Sequence, residues 1–322
     1  MPLDIYLQGE APLDFQPGLP ANFTGPVIPG AVCFSSKTNI AQLIIQELEG
    51  ELYSLRFIVG KFLKDITTSG VLSKTGLYSY FMIKNGVRKQ VGDAERFHLR
   101  QDQYSAIYTA PAGCTARFEK NKEFRSLDIY YSPELLQELQ QYFPAIGAMS
   151  FSSSPLLLRD KACWSLPTMA EITNQILTCP YDESTCRFYF ELKVRELLYQ
   201  ILENTYSQNS KAKYFTPWEI FKIHEARDIL GSQLSAKPLS IRALARKVAL
   251  NEYKLKTGFR QYFNAGIFEW VMDRKMVHAK HLLLTTNKPI KEIGQLVGYP
   301  RTTNFITAFR RRFGTTPGGL RR

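Results

Sequence analysis

Residues 239–263 read LSIRALARKVALNEYKLKTGFRQYF, and residues 290–313 read IKEIGQLVGYPRTTNFITAFRRRF. Each begins with a short apolar run at helical spacing, breaks, and resumes in a second run that ends in aromatics. In the first, Ile241, Leu244, Ala245 and Val248 share one helical face. Ala249 and Leu250 supply the break. Asn251 suits the start of the next helix, because its side-chain oxygen can accept a free backbone N–H. Leu255, Phe259 and Tyr262 then mark an inward face. In the second, Ile290, Ile293 and Val297 are followed by Gly298-Tyr299, then by Phe305, Phe309 and Phe313. The same pattern twice, roughly fifty residues apart, predicts two helix-turn-helix units, at 239–262 and 290–313.

The outward face of the first second-helix carries Tyr253, Lys256, Thr257 and Arg260 at i, i+3, i+4 and i+7. An α-helix fits the major groove of DNA, and its outer face carries the readers. The base-reading set expected is Tyr253, Lys256 and Thr257 in the first unit, and Thr302, Thr303, Ile306 and Thr307 in the second. Arg260 and Arg310 are expected on phosphate. Between the units, FEWVMDRKMVHAKHLLL (268–284) reads as one long helix, a rigid spacer. Two readers on one face of a duplex would then sit about 34 Å apart, in successive grooves.

Charge agrees with that placement. The chain has 322 residues and a formal net charge of +12. Residues 211–322 hold 22 Lys and Arg against 7 Asp and Glu, a net of +15, and residues 1–210 hold 19 against 22, a net of −3. A folded segment with such an excess has the electrostatic footprint of a phosphate-backbone binder. Five cysteines, an odd number with no CxxC pair, read as reduced thiols. The start, MPLDIYLQGEAP, has no basic segment before an apolar core, and no uncharged apolar run approaches about 18 residues. The expectation is a cytoplasmic protein without a signal peptide or membrane partner.

The N-terminal part reads differently. Residues 1–30 are rich in Pro and Gly, an irregular arm. From 31 to 131, short β-branched and aromatic runs (AVCFSS, LYSLRFIVG, YSYFMI, SAIYTA) alternate with Gly, Asn and Asp breaks, which predicts a barrel or sandwich. Near Ser132 the period changes to helical, and 166–178 and 185–203 read as helices. In the second of these, Phe188, Leu192, Val194, Leu197, Leu198, Ile201 and Leu202 form a broad apolar stripe, suited to the sheet and in part to a second subunit. The polar stretch NTYSQNSKAKYFT ahead of Pro217 marks a linker. The expected divisions are 1–203 for effector binding and dimerisation, 204–216 as linker, and 217–322 for DNA binding. His98 is the only histidine in the first half, too few for a metal-dependent enzyme, and no metal site or catalytic residue is assigned. His278 and His281, i and i+3 on the spacer, lack further ligands nearby. Arg56, Tyr78, Tyr80 and Trp164 are candidates to meet an aromatic or anionic effector.

The segment 238–322 resembles the DNA-binding domain of the AraC/XylS family of transcription regulators. The likeness rests on PLSIRALARKVALNEYKLKTGFRQYF, on Lys275, Ala279, Leu282 and Leu283 of the spacer, on IKEIGQLVGYPRTTNFITAFRRRFGTTP, and on the closing Phe313, Gly314, Pro317, Leu320 and Arg322. NEYKLKTGFRQ and, more loosely, QILTCP…FYFELKVRELLYQIL at 175–202 resemble the siderophore-responsive branch, the pyochelin and yersiniabactin regulators. The resemblance implies an α+β fold: an N-terminal cupin-like β-barrel with flanking helices, and a C-terminal all-α domain of two helix-turn-helix units joined by a linker helix. It implies a DNA-binding activator controlled by a small molecule, a ferric siderophore in that branch. Its partners would be double-stranded DNA, RNA polymerase and a second copy through the N-terminal domain, with no cofactor. Three positions depart from the family: Ala249 replaces the turn glycine, Pro300 the small polar residue before the second recognition helix, and Leu320 a tyrosine. The alternative is an enzyme, of DNA-repair type, carrying such a domain. It needs an activated cysteine, and none of the five has an evident His or basic partner in sequence.

Overall fold

A computed structural model describes residues 6–7, 13–149, 154–159, 162–206, 215–234, 239–263 and 265–321. The chain divides into two compact units, Met1–Ser210 and Lys211–Arg322.

The first unit runs β1 (Tyr6–Leu7), β2 (Gln16–Pro17), β3 (Val32–Lys37), β4 (Ala41–Glu49), β5 (Tyr53–Phe62), β6 (Ile66–Leu72), β7 (Gly76–Lys84), β8 (Val87–Val91), β9 (Phe97–Leu99), β10 (Gln103–Thr109), β11 (Ala112–Phe118) and β12 (Glu123–Tyr131). Then come α1 (Pro133–Leu139), α2 (Ile146–Met149), β13 (Leu156–Leu157), β14 (Cys163–Trp164), α3 (Pro167–Leu177) and α4 (Glu183–Tyr206). Antiparallel pairing builds two sheets. The larger has the order β13-β10-β7-β12-β5-β4-β3-β2, with β14 also on β10; the smaller has β1-β6-β11-β8-β9.

Period-two alternation explains why both faces of the larger sheet are covered. Leu55, Phe57, Leu127, Ile129 and Tyr131 pack under Leu135, Met169, Ile172, Phe190, Val194 and Leu198 of the helices. On the opposite face Tyr80, Met82 and Ile107 meet Val87, Val91, Phe97 and Leu99 of the smaller sheet. The implied closed barrel is not what forms. No ladder joins the two sheets among the described residues, and each ends in strands of two or three residues at its rims, so closing hydrogen bonds have no frame. The cupin likeness therefore does not extend to closure. α4 runs on to Tyr206, past the expected start of the linker at 204, with Thr205 Oγ1 donating to the carbonyl of Ile201 at 2.7 Å. Residues 207–214 of that linker lie outside the described residues.

The second unit is helical: α5 (Pro217–Ser232), α6 (Ile241–Lys247), α7 (Glu252–Phe263), α8 (Ile267–Thr285), α9 (Ile290–Leu296), α10 (Thr302–Phe313) and α11 (Pro317–Leu320). Thr216 and Glu219 close a reciprocal capping box on α5, with Thr216 N–H donating to the Glu219 carboxylate at 2.8 Å. Two cores result. One gathers Ile223, Leu244, Val248, Leu255 and Phe259, with Ile267 and Val271 from the first half of α8. The other gathers Ile293, Val297, Phe305 and Phe309, with Met276, Ala279 and Leu283 from its second half.

The two turns are backbone copies. Leu250 N–H donates to Ala245 O at 2.9 Å, and Tyr299 N–H to Gly294 O at 2.9 Å. In each the residue before that donor is left-handed, Ala249 at φ +56° and Gly298 at φ +81°. This is the Schellman termination, which favours glycine because a Cβ crowds the following carbonyl. A Cβ on Gly298 would also stand 2.7 Å from Lys275 Nζ.

Ala249→Gly is expected to stabilise the second unit by about 0.5 kcal/mol, relief of about 1–2 kcal/mol of left-handed strain being partly offset by unfolded-state entropy. Gly298→Ala is expected to cost about 1 kcal/mol, and thermal melts of the two variants should move in opposite directions. A second expectation concerns His224 on α5, which is 3% exposed and lies edge-on to Tyr262 and Phe263. Burial, with Arg227 beside it, lowers its pKa from 6.5 to about 2. The unfolded chain takes up this proton below about pH 6.5 and the folded one does not. Stability is therefore retained above that pH and lost as pH falls, by about 1.4 kcal/mol per unit. His224→Phe should flatten this part of the slope in denaturant titrations between pH 7 and 4.5; an unchanged slope would place the effect elsewhere.

Candidate nucleic-acid interface

α7 is set by its cap and its buried side. The Asn251 carboxamide oxygen accepts Lys254 N–H at 2.7 Å, and Leu255 and Phe259 are fully buried. That fixes what faces out. Tyr253 is 77% exposed, an aromatic ring with no core to serve. Lys256 and Arg260 are exposed, and Thr257 is half-buried. Lys256 Nζ lies 3.7 Å from Glu252 of the same helix, a surface pair worth little, so its ammonium is free to leave for a stronger partner. Lys254 is committed to Glu219 of α5 instead and holds α7 in place.

α10 repeats the arrangement. Phe305 and Phe309 are fully buried, while Thr303, Thr307 and Arg310 are exposed. Thr307 Oγ1 donates to Thr303 O at 3.0 Å, leaving its lone pairs outward. Thr302 is half-buried, and Ile306 packs in part on the core, so each offers only an edge. A depression of about 550 Å³ is lined by Ile306, Thr307, Arg310, Arg311, Gly314 and Thr316. Arg312 turns back to Asp273 on α8.

The same two units expose further cations besides Arg260 and Arg310. Arg242, Arg246 and Lys247 on α6, and Arg301 and Arg311 at the two ends of α10, are exposed. In the sequence RALARK carries the first three and FRRRF carries Arg311, while Arg301 stands in YPRTT. The first helix of such a unit crosses the sugar-phosphate backbone, so its outward cations matter as much as those of the reader.

The effector candidates occupy the larger sheet. Tyr80, Asp128, Arg56 and Glu47 are successive register partners across β7, β12, β5 and β4, so all four share one face. Tyr78 lies two residues from Tyr80 on that face. Arg56 is engaged by Glu47, with Nε–Oε1 at 3.2 Å. Tyr78 Oη donates to Lys74 O at 2.8 Å, and burial pushes its phenol up to about 12. Tyr80 is buried, with Lys89 Nζ of the smaller sheet 3.4 Å from its ring centre and 3.3 Å from Asp128. Trp164, opposite Gln103 on β14, stands at the rim of the sheet, four strands from Arg56. Three of the four candidates thus come together between the sheets, and Trp164 does not join them.

Burial pushes the thiols of Cys33, Cys114, Cys163 and Cys186 up, the reverse of what an activated nucleophile requires. Among the described residues no group of three His, Cys, Asp or Glu side chains could hold a metal. No described helix is long and apolar enough to cross a membrane.

Two helices, each behind the same left-handed turn and each packed on one spine, define a double helix-turn-helix protein. A family model described as a helix-turn-helix domain matches residues 244–322, and that of the regulatory protein PchR N-terminal domain matches residues 54–215. The chain belongs to the AraC family of transcription regulators, with an N-terminal domain of the PchR type. Among its relatives, the arabinose operon regulatory protein of Salmonella typhimurium is 25% identical over 193 residues, which cover 60% of this chain and 65% of that protein. That of Escherichia coli K12 is 24% identical, covering 64% and 66%. The match thus spans just under two thirds of either relative. Regulatory protein PchR of Pseudomonas aeruginosa is 29% identical over 127 residues, covering 39% of this chain and 43% of that protein. A solved transcriptional regulator with an AraC-type DNA-binding domain, from Chromobacterium violaceum, is 27% identical with a TM-score of 0.30, covering 31% of this chain and 88% of that one.

Proposed function

We propose that the protein is a sequence-specific activator of transcription in which α7 and α10 read successive major grooves of one duplex. The observation that carries this is the repetition itself: two recognition helices, each behind the same left-handed turn, each packed on one half of α8. Tyr253, Lys256, Thr257, Thr303 and Thr307 read bases, with the exposed edges of Thr302 and Ile306. Arg260 and Arg310 hold phosphate, joined by Arg242, Arg246 and Arg311. The N-terminal unit binds a small molecule, a ferric siderophore by its PchR-type resemblance, and RNA polymerase is the downstream partner. Residues 1–203, 204–216 and 217–322 are the working divisions.

The N-terminal unit also pairs with a second copy. On α4, Val194, Leu197, Leu198, Ile201 and Leu202 are buried in the domain's own core, but Phe188 is 69% exposed, Leu192 50% and Tyr199 46%. Large apolar groups left out of a packed helix at helical spacing fit a partner helix. An enzyme with an appended DNA-binding domain finds no support in the raised thiols.

Selection of random duplexes against the full chain should enrich a bipartite site with elements one helical turn apart. Lys256→Ala and Thr307→Ala should each relax base choice at one position, by about 1–3 kcal/mol. Arg260→Ala and Arg310→Ala should weaken binding to every sequence and lower the salt slope by about one. Equal losses on all sequences from all four variants would overturn the assignment of readers. In sedimentation, Phe188→Glu with Leu192→Glu should shift the protein to monomer while leaving its circular dichroism unchanged; a dimer that survives would place the contact elsewhere.

A further inference from the structure

The smaller sheet has an outward face that nothing above uses. Val87, Val91, Phe97 and Leu99 point inward and are buried, so the residues between them point out. Across β6, β11, β8 and β9 the register aligns Thr67, Arg117, Arg88 and His98 in one row, all on that outer face. The next row places Thr115 opposite Gln90. Arg96 Nε donates to Gln90 Oε1 at 3.0 Å, which brings its guanidinium to the same place. These residues line a depression of about 500 Å³.

Two features of this row need an explanation. Arg88 and Arg117 are direct cross-strand partners, and like charges in that relation destabilise a sheet. Neither guanidinium has a hydrogen bond or ion pair among the described residues. Glu119, the carboxylate that feels Arg88, is engaged with Lys122. Three arginines and a histidine therefore converge on one concavity of a unit whose own net charge is −3. His98 belongs to the same field, its pKa lowered by burial and then by Arg100 and Arg88.

We infer that this face is a binding site for a small multivalent anion, one with two or more carboxylate or phosphate groups, held by Arg88 and Arg117 with Arg96 and His98 at the rim. Guanidinium forks bind such groups bidentately, and Thr67 and Thr115 add hydroxyl donors. Four strands span about 14 Å and the volume suits a small ligand, so a compact anion fits better than a polymer. That this anion is the signal for DNA binding rests on the sensor reading above; the site itself does not.

The test uses the full chain and citrate as probe, with sodium chloride of equal ionic strength as control and inorganic phosphate as a second arm. The melting temperature should rise by several degrees with citrate and by less with chloride. A stronger response to phosphate than to citrate would assign the site to phosphate-bearing ligands. R88Q with R117Q should melt higher than the parent without ligand, because the repelling pair is gone, and should lose at least tenfold in citrate affinity. A double variant that melts lower without ligand, or binds citrate as the parent does, would overturn the proposal. Citrate binding that needs Arg88 and Arg117 but leaves operator affinity unchanged would uphold the site and remove its link to the sensor reading.

Discussion

Everything in the C-terminal unit hangs on α8 being shared. Its 19 residues contribute Ile267 and Val271 to one core and Met276, Ala279 and Leu283 to the other. At 1.5 Å per residue such a helix is about 28 Å long. Neither half-core could be rotated against the other without breaking the helix between them. The distance and phase of α7 and α10 are therefore set by a backbone hydrogen-bond ladder rather than by a flexible contact. Lys275 marks the handover. It is 4% exposed, burial lowers its pKa, and its amine abuts the left-handed turn at Gly298.

The N-terminal unit solves a different problem. Its larger sheet buries both faces, which normally requires strands that are apolar throughout. This one carries a charged row instead, Tyr80-Asp128-Arg56-Glu47, between the sheets. The row is tolerable because its charges pair: Arg56 with Glu47, and Asp128 with Lys89 reaching across from β8. One oxygen of Asp128 and the hydroxyl of Ser105, which flank Tyr80 in register, have no hydrogen-bond partner among the described residues. The Lys89–Asp128 pair crosses from one sheet to the other and ties their register, since slipping by one residue would bury each charge alone.

How much of this could be read from the chain follows contact range. Helices α6, α7, α9 and α10 repeat an apolar face every three or four residues, and their turns are local, so both helix-turn-helix units were legible. Ala249 was legible as a departure; its φ of +56° shows that the backbone kept the turn and accepted the strain. The sheets were legible as strands but not as an arrangement. Arg88 faces Arg117, and Glu47 faces Arg56, only through ladders that the alternation pattern does not specify. Closure failed for the same reason, because whether rim strands find partners is decided at a distance. Residue type alone groups Trp164 with Arg56, but the topology puts three strands, β10, β7 and β12, between them. The basic residues of α6 are visible in RALARK, but helical spacing alone does not say that the first helix of a unit also meets the phosphate backbone.

In the proposed reading, affinity and discrimination come from different side chains. The unit's net charge of +15 would draw it to any duplex, whatever the sequence, through release of counterions. Its outward cations are exposed and spread over α6, α7 and α10. The residues proposed to read bases are mostly uncharged: Tyr253, Thr257, Thr302, Thr303, Ile306 and Thr307, with Lys256 the exception. Uncharged readers add little on the wrong sequence, and the Tyr253 ring and the apolar edge of Ile306 would suit thymine methyl groups rather than charge. Non-specific binding can then be weakened by salt or lost cations without altering which bases are preferred. This division works only if the readers cannot shift relative to the phosphate contacts, and the shared spine of α8 supplies that rigidity.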